Sequence, residues 1–381
     1  MLVRELKLKL NKNQEAELER WLLSLQSLYN WGIRRIELNA ENKIYFSSFD
    51  FQNSLPNHSK KIGIPSHVVQ GILKQAYTAW QRCFDRVSKR PHLKSIRKPL
   101  HSIPFPDPIK PPKENRIGLP GLGKVKFYKQ DLPSGKIKRG RIVKRASGWY
   151  LQLTIDAIHT FPVRETTKCV GIDTGFKALA TLSDGKVYEN PRELRKGANR
   201  LAQAQRGKRK KMTARLHERQ RNRRKDRNHK ISREIVENYS QIYITKDSLR
   251  GQAKRFGKSV LEASIHQLRS MLLYKGPNGG REVQLVDSKN TTMTCSACGA
   301  KSGPTGLSGL AVRQWVCKDC GCHHDRDVNA ARNILKAGLG WSLEFQELSD
   351  SVRWASIKSL QAASAASSLT RQQPHRRELH E

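Results

Sequence analysis

The sequence contains no apolar run approaching the about 18 residues that a membrane-crossing helix needs, so a spanning protein is excluded as a reading. Acidic residues are scarce: 33 Asp and Glu stand against 72 Lys and Arg, a formal net charge of +39. Such an excess exceeds what solubility requires, and self-repulsion destabilises a compact fold unless a polyanion neutralises it. Nucleic acid is the expected polyanion, with an anionic membrane surface as the competing one. The opening MLVRELKLKL alternates charge with leucine and lacks the look of a signal peptide, so an intracellular protein is expected. No internal repeat is visible. At 381 residues the chain is too long for one core, and two to four modules are expected.

What is present has a clear order. Residues 2–10 alternate leucine with lysine, as a strand with one wet face does. Asn11 can cap a helix over about 13–40 with Leu18, Trp21, Leu22, Leu25, Leu28 and Tyr29 as its buried stripe. Val69, Ile72, Leu73, Ala76, Trp80 and Phe84 mark a second helix over about 65–88, their aromatics read as ordinary core. Residues 98–124 are rich in Pro and Gly and read as a connector. Short alternating runs return at Val125–Phe127, Ile142–Val143 and Trp149–Ile155, and with strand 2–10 they suggest a small β-barrel interrupted by the helical insert.

A new unit opens near 166. Strand 168–174 ends in Asp173, and Asp184-Gly185 marks a hairpin turn. Residues 192–233 then carry eighteen basic and three acidic residues with almost no Pro or Gly, which predicts a long helical pair. A solvated charged face is the usual meaning of a charge run. Here the run is too one-sided for intrahelical ion pairs. Lys208, Arg209, Lys210, Lys211, Arg215, Arg219, Arg221, Arg223, Arg224 and Arg227 are therefore expected to track nucleic-acid phosphates. A strand at 240–246, a helix at about 259–274 and a strand at 283–286 follow. The last 15 or so residues are expected to be mobile.

Seven cysteines could suggest disulfides, but four of them lie at metal-ligand spacing, which fits a reducing compartment. Cys295-Ser-Ala-Cys298 and Cys317-Lys-Asp-Cys320 are separated by eighteen residues and complete a four-thiolate shell for structural zinc. Gly299 and Gly321 follow where tight turns need them. Cys322 is a neighbour, not a fifth ligand, and Cys83 and Cys169 read as ordinary buried thiols. Directly after the knuckles, Asp325 and Asp327 open a helix whose apolar side is Val328, Ala331, Ile334 and Leu335. Carboxylates there suit the helix dipole, so capping is one reading. The other pairs Asp327 with Asp173, both on elements that would pack side by side in an RNase H-like sheet. Carboxylates converging there around Mg²⁺ would suit phosphodiester hydrolysis.

GIDTG at 171–175, the two CxxC pairs and DRDVNAARNIL at 325–335 resemble the TnpB family, as do HKISREIV at 229–236 and LLYKG at 272–276. The resemblance covers most of the chain. It implies an α/β multidomain protein: a wedge-like β-barrel (1–10 and 120–165) interrupted by a helical recognition insert with its connector (11–119), a RuvC-like nuclease domain (166–288 and 323–340), a zinc module (289–322) and a tail (341–381). It also implies an RNA-guided DNA endonuclease of a mobile element, with a guide RNA and a double-stranded DNA target beside a short adjacent motif, in the prokaryotic cytoplasm near the nucleoid.

One position departs. The resemblance implies a catalytic Glu followed by Asp at the end of strand 240–246, and this chain has Lys246-Asp247. An ammonium about 4 Å from a divalent ion is repelled by about 8 kcal/mol at an effective dielectric of about 20. Asp247 is a poor substitute, since one step along a strand points to the opposite face. Glu262 is the better candidate. With Leu261, Ile265, Leu268 and Leu272 as the core stripe of its helix, it lies one residue off that stripe and can lean into a cleft. The competing reading is a surface Glu paired with His266 or Arg269; Glu218, Glu234 and Glu237 are weaker candidates. Asp173, Glu262 and Asp327 are thus the expected Mg²⁺ ligands and catalytic acids. The runner-up is a nuclease-dead, RNA-guided DNA-binding repressor, and a DDE-type transposase is weaker still.

Overall fold

The computed structural model describes residues 1–157, 163–246, 249–306, 309 and 311–340. Asp247 and the tail 341–381 lie outside the described residues. The chain falls into two compact units, Met1–Phe161 with Gly197–Asn222 and Pro162–Lys196 with Arg223–Glu381.

The first unit opens with β1 (Leu2–Lys9) and α1 (Lys12–Glu41). Asn11 caps α1 as its sequence predicts: its side chain accepts from Gln14 N–H at 2.7 Å while Gln14 reaches back to the Asn11 N–H, a reciprocal capping box. Two short helices, α2 (Ser48–Asn53) and α3 (His58–Ile62), precede α4 (Ser66–Phe84). The α1 stripe is buried throughout. On α4 the stripe is buried from Val69 to Trp80, but Phe84, expected in the core, is 52% exposed.

The remaining strands are β2 (Ser102–Phe105), β3 (Arg116–Leu119), β4 (Gly123–Phe127), β5 (Lys136–Arg145) and β6 (Gly148–Asp156). They form with β1 a six-stranded sheet ordered β2-β5-β6-β1-β4-β3. The supposed connector therefore supplies both edge strands. Pro104 is tolerated because β2 is an edge, where one row of backbone groups has no ladder partner to lose. One hydrophobic core joins this sheet to α1, α2 and α4.

The second unit is built on β7 (Cys169–Thr174), β8 (Ala178–Leu182) and β9 (Val187–Glu189), an antiparallel meander whose Asp184-Gly185 turn puts Gly185 at φ +93°. A single turn, α5 (Glu193–Lys196), leads to α6 (Ala198–Arg206) and α7 (Lys210–Asn238), the basic helical pair. The chain returns through β10 (Gln241–Thr245), α8 (Leu249–Ala263), α9 (Ile265–Asn278) and β11 (Glu282–Val286). The sheet order is β11-β10-β7-β8-β9, with β10 and β11 parallel to β7. A small hairpin, β12 (Gln314–Val316) and β13 (His323–Asp325), precedes the final described helix, α10 (Arg326–Gly338).

The expected single helix at 259–274 is two. Ser264 adopts φ +54°, a left-handed conformation that ends α8 and restarts the turn count at α9. The phase change inverts the predicted faces: Leu261 is 58% exposed and Glu262 only 2%. Ile265, Leu268 and Leu272 remain buried.

Gly171 fixes how α10 meets the sheet. A Cβ placed there would collide with the Ala331 carbonyl oxygen and come within 2.5 Å of the Leu335 nitrogen, both on the α10 backbone. Backbone cannot step aside as a side-chain tip can. Gly171→Ala should therefore lower stability by about 1–3 kcal/mol or more, read as a fall in urea midpoint. Gly118→Ala, where the added carbon meets nothing within 4 Å, should stay within about 0.5 kcal/mol of the parent.

Candidate functional site

The four cysteines converge as their spacing predicts. The Sγ atoms of Cys295, Cys298, Cys317 and Cys320 all lie within 4.8 Å of one another and could hold a metal ion. Gly299 (φ +83°) and Gly321 (φ +70°) close the two knuckles in a conformation that other residues rarely adopt. Cys322 is exposed; its carbonyl accepts from Cys317 N–H at 2.9 Å. The Ser302 hydroxyl, 3.1 Å from Cys317, holds that thiol down to about 6, toward the thiolate a metal requires. A donor set of four thiols at this separation fits a tetrahedral ion. Cys83 and Cys169, expected to be buried, are only half-buried. His324 escaped the sequence reading: it is 6% exposed, lies 3.0 Å from Cys295 Sγ and packs against Trp315. Its alternation in HHD with exposed His323 was the available signal.

The cysteine module is bound to α10. Asn329 accepts from Ser296 N–H at 2.8 Å and donates to the Thr294 carbonyl at 2.8 Å. Asn333 donates to the carbonyls of Thr291 and Thr294, and Lys336 to that of Ser296. Asp325 provides the helix cap, accepting from Asp327 and Val328 N–H groups at 3.0 Å each. This leaves the Asp327 carboxylate free of capping work. It pairs instead with Arg313, whose Nη1 lies 3.0 and 3.2 Å from its two oxygens.

Asp173 sits half-buried near the end of β7, on the strand face shared with Gly171, the face against which α10 packs. Ala331, the helix residue touching Gly171, follows Asp327 by one turn. Beside Asp173, Thr174 and Thr245 join hydroxyls at 3.1 Å, and buried Thr245 ends β10. Lys246 is exposed, and its N–H donates to the Val286 carbonyl at 2.8 Å.

Glu262 has a different setting from either sequence-based reading. It is buried, and its partner is Arg195: the Arg195 backbone N–H donates to Oε1 at 3.2 Å and the guanidinium Nε lies 3.4 Å from Oε2. Arg227 donates to the Ala263 carbonyl at 2.8 Å and to the Asn190 side chain at 3.2 Å, while Asn190 donates to the Phe176 carbonyl at 3.1 Å. Phe176 and Phe256 pack ring to ring at 6.1 Å. The exit of β7 and the end of α8 are thereby tied through named groups.

The structure thus brings β7, α8 and α10 together, but Asp173, Glu262 and Asp327 do not form a second cluster: among the described residues, only the cysteines make a group of three or more possible ligands within 4.8 Å. Two of them face arginines instead.

The basic residues divide. Lys208, Arg209, Lys210, Lys211, Arg215, Arg219 and Arg221, all in the first unit, are exposed. Glu218 anchors their helix, accepting from the N–H and hydroxyl of Ser147 at 2.8 and 2.7 Å. In the second unit Arg223 is exposed and pairs with Glu193 at 2.8 Å. Arg224 is buried, and Arg227 is turned inward, where burial lowers its pKa. These two face the protein interior rather than solvent. Elemental analysis of the purified chain should find one tightly held ion per cysteine tetrad. Cys317→Ser should lose it together with several degrees of thermal midpoint, since metal-binding free energy is folding free energy.

Residues 152–251 match a family model described as "Probable transposase", OrfB_IS605, and residues 266–334 match the "Cas12f1-like, TNB domain". A Streptomyces pristinaespiralis protein named "Putative RNA-guided DNA endonuclease" is 31% identical over 358 residues, covering 86% of this chain and 87% of that one. "Putative RNA-guided DNA endonuclease InsQ" of Escherichia coli K12 is 27% identical over 363 residues, covering 85% and 89%. "TnpB-like protein L79" of Acanthamoeba polyphaga mimivirus is 37% identical over 131 residues, covering 32% and 24%. Identity at this level along most of both chains means that this chain belongs to the TnpB family of RNA-guided DNA endonucleases.

Proposed function

We propose that the protein uses a guide RNA to find double-stranded DNA beside a short adjacent motif and cuts it in a RuvC-like domain, with Asp173, Glu262 and Asp327 as the catalytic acids. The observation that carries this reading is the burial of Glu262. Among the described residues of the second unit it is the sole buried carboxylate. Desolvating a carboxylate is costly, and a surface helix has no need of one. It stands on the helix that follows the strand whose end lacks an acid, and that helix is tied to the exit of Asp173's strand. The β7–β8–β9 meander, extended in parallel by β10 and β11 with α10 across it, supports a RuvC-like sheet. The six-stranded sheet of the first unit is the counterpart of the wedge-like barrel.

Each group has a distinct task on this reading. Zinc in the cysteine tetrad braces the module that α10 carries. Exposed Lys208–Arg221 hold phosphates of guide or heteroduplex through charge, without reading sequence. Base pairing reads the target. Arg195 and Arg313 hold the carboxylates of Glu262 and Asp327 in place. The names of the relatives, and the interior of a prokaryotic cell as the place where such a guide would be made, agree with it.

Two observations favour a second reading, a nuclease-dead RNA-guided DNA-binding repressor: a lysine follows β10, and two of the acids face arginines. The purified ribonucleoprotein with target plasmid separates the readings. Mg²⁺ should support linearisation and EDTA should abolish it while a gel shift persists. Asp173→Ala and Glu262→Gln should each slow cutting by roughly 10²-fold or more, the scale of losing one transition-state electrostatic partner, and Lys246→Ala should cost far less. Binding without cutting by the parent establishes the repressor. Cutting by Glu262→Gln at the parent rate removes Glu262 from the site while leaving the nuclease.

A further inference from the structure

The first unit holds a hollow that none of this activity uses. It measures about 370 Å³ and lies between the C-terminal parts of α1 and α4, with Asn39, Tyr45, Phe51, Tyr77, Trp80 and Phe84 among its walls. That volume lies at the low end of the range of small-ligand sites, about 300–1,000 Å³. We propose that it takes one unpaired nucleobase of a bound single-stranded nucleic acid. The proposal rests on the nucleic-acid reading above and adds a base-binding site to it.

The walls are made for a flat ring. Trp80 is 7% exposed and is fixed by its indole N–H, which donates to the Ile33 carbonyl at 2.9 Å. Phe84 stacks on it with centroids 5.3 Å apart and planes 24° apart. Phe84 itself is 52% exposed, so the stack stops with a ring still open to solvent. Tyr45, on the same hollow, is 79% exposed. Tyr77 fixes the intervening wall by donating to the Phe46 carbonyl at 3.1 Å. Trp80 and Phe51 belong to the core, whereas Phe84 and Tyr45 are left open to solvent at its edge. Stacking on such rings tolerates any base, because every base has a π-face.

Two further features select a base over a plain apolar occupant. Asn39 is 4% exposed, and its Nδ2 has no hydrogen-bond partner. Burying an unmet donor is unfavourable, and an acceptor on a base edge would satisfy it. The surroundings are also basic. Over residues 82–90, Arg82, Arg86, Lys89 and Arg90 stand against Asp85 alone, and all five are exposed. Lys43 is exposed beside the Tyr45 wall, and Arg90 pairs with Glu37. A second copy of this chain is a poorer occupant: in a two-fold contact this basic rim would face itself.

The test uses the full-length protein with fluorescein-labelled twelve-nucleotide oligouridine RNA and oligothymidine DNA, read by anisotropy over a salt series. Tyr45→Ala and Phe84→Ala should each weaken binding by roughly 5-fold or more. The slope of log affinity against log salt should stay unchanged, since no phosphate contact is removed. The arm that responds, RNA or DNA, identifies the source of the base. Thermal midpoints check folding, and the Tyr45 variant carries the test alone if Phe84→Ala unfolds. Parent-like affinity in both arms overturns the pocket and leaves nucleic-acid binding intact. Sedimentation showing a parent dimer that either variant dissociates overturns it in favour of a second copy. Failure of the parent to bind either oligonucleotide overturns the pocket and the nucleic-acid reading together.

Discussion

A missing side chain at Gly171 governs the second unit. Because β7 offers no Cβ there, the α10 backbone lies directly on the strand, with Ala331 and Leu335 at the point of contact. Gly338 repeats the device against the Tyr243 ring of β10. The other side of α10 carries Asn329, Asn333 and Lys336, which hold the backbone around the first cysteine knuckle. One helix therefore transmits position from the sheet to the cysteine module. Asp327 inherits its place from the same contact, one turn before Ala331. The buried amides make the transmission stiff, because each satisfies backbone groups that would otherwise be orphaned away from water. Moving the helix by a fraction of an ångström would break several such bonds at once.

The burial of Glu262 follows from a second local constraint, the left-handed turn at Ser264. A continuous helix through this position would have put Leu261 inward and Glu262 at the edge. The break rotates the frame, and the carboxylate enters the interior, where it requires cationic company. Arg195 supplies both a backbone N–H and a guanidinium. Arg227, beside it, is bound to the carbonyl of Ala263 and so fixes the helix end that presents the acid. The Arg195 side chain is itself about half exposed, so solvent screens the pair from that side, while the Glu262 carboxylate stays buried.

These constraints explain which features the sequence displayed. The α1 stripe, the capping box at Asn11, the Asp184-Gly185 hairpin and the cysteine knuckles rest on spacings of a few residues, and all were legible. The edge strands β2 and β3 were not, because Pro104 and Gly118 look like loop punctuation. An edge strand can accept both, since one side of its ladder is unpaired. The left-handed Ser264 was invisible for a related reason: no Gly or Asn announces it. The inward arginines were legible in part. Arg224 and Asn228 fall at helical spacing with Ile231 and Ile235, and all four are buried. In a run of arginines, that period is hidden by composition. His324 shows the opposite case: the HHD alternation marks it as buried, but its approach to Cys295, 29 residues away, is not written in that pattern.

Charge is balanced differently within each of the two units. In the second unit the acids Glu193, Glu262 and Asp327 each have an arginine partner. Those acids are therefore balanced within the fold and add little net negative field. The first unit has no comparable supply of carboxylates for its basic hairpin. Glu218, its buried acid, is committed to Ser147 and lies 4.0 Å from Arg221. The exposed cations from Lys208 to Arg219 thus keep their charge for something outside the chain. At +39 overall, that outside partner must bring many negative charges in a row. A small acidic ligand would leave most of the repulsion standing, whereas a phosphodiester chain places charge at regular intervals along a groove or helix.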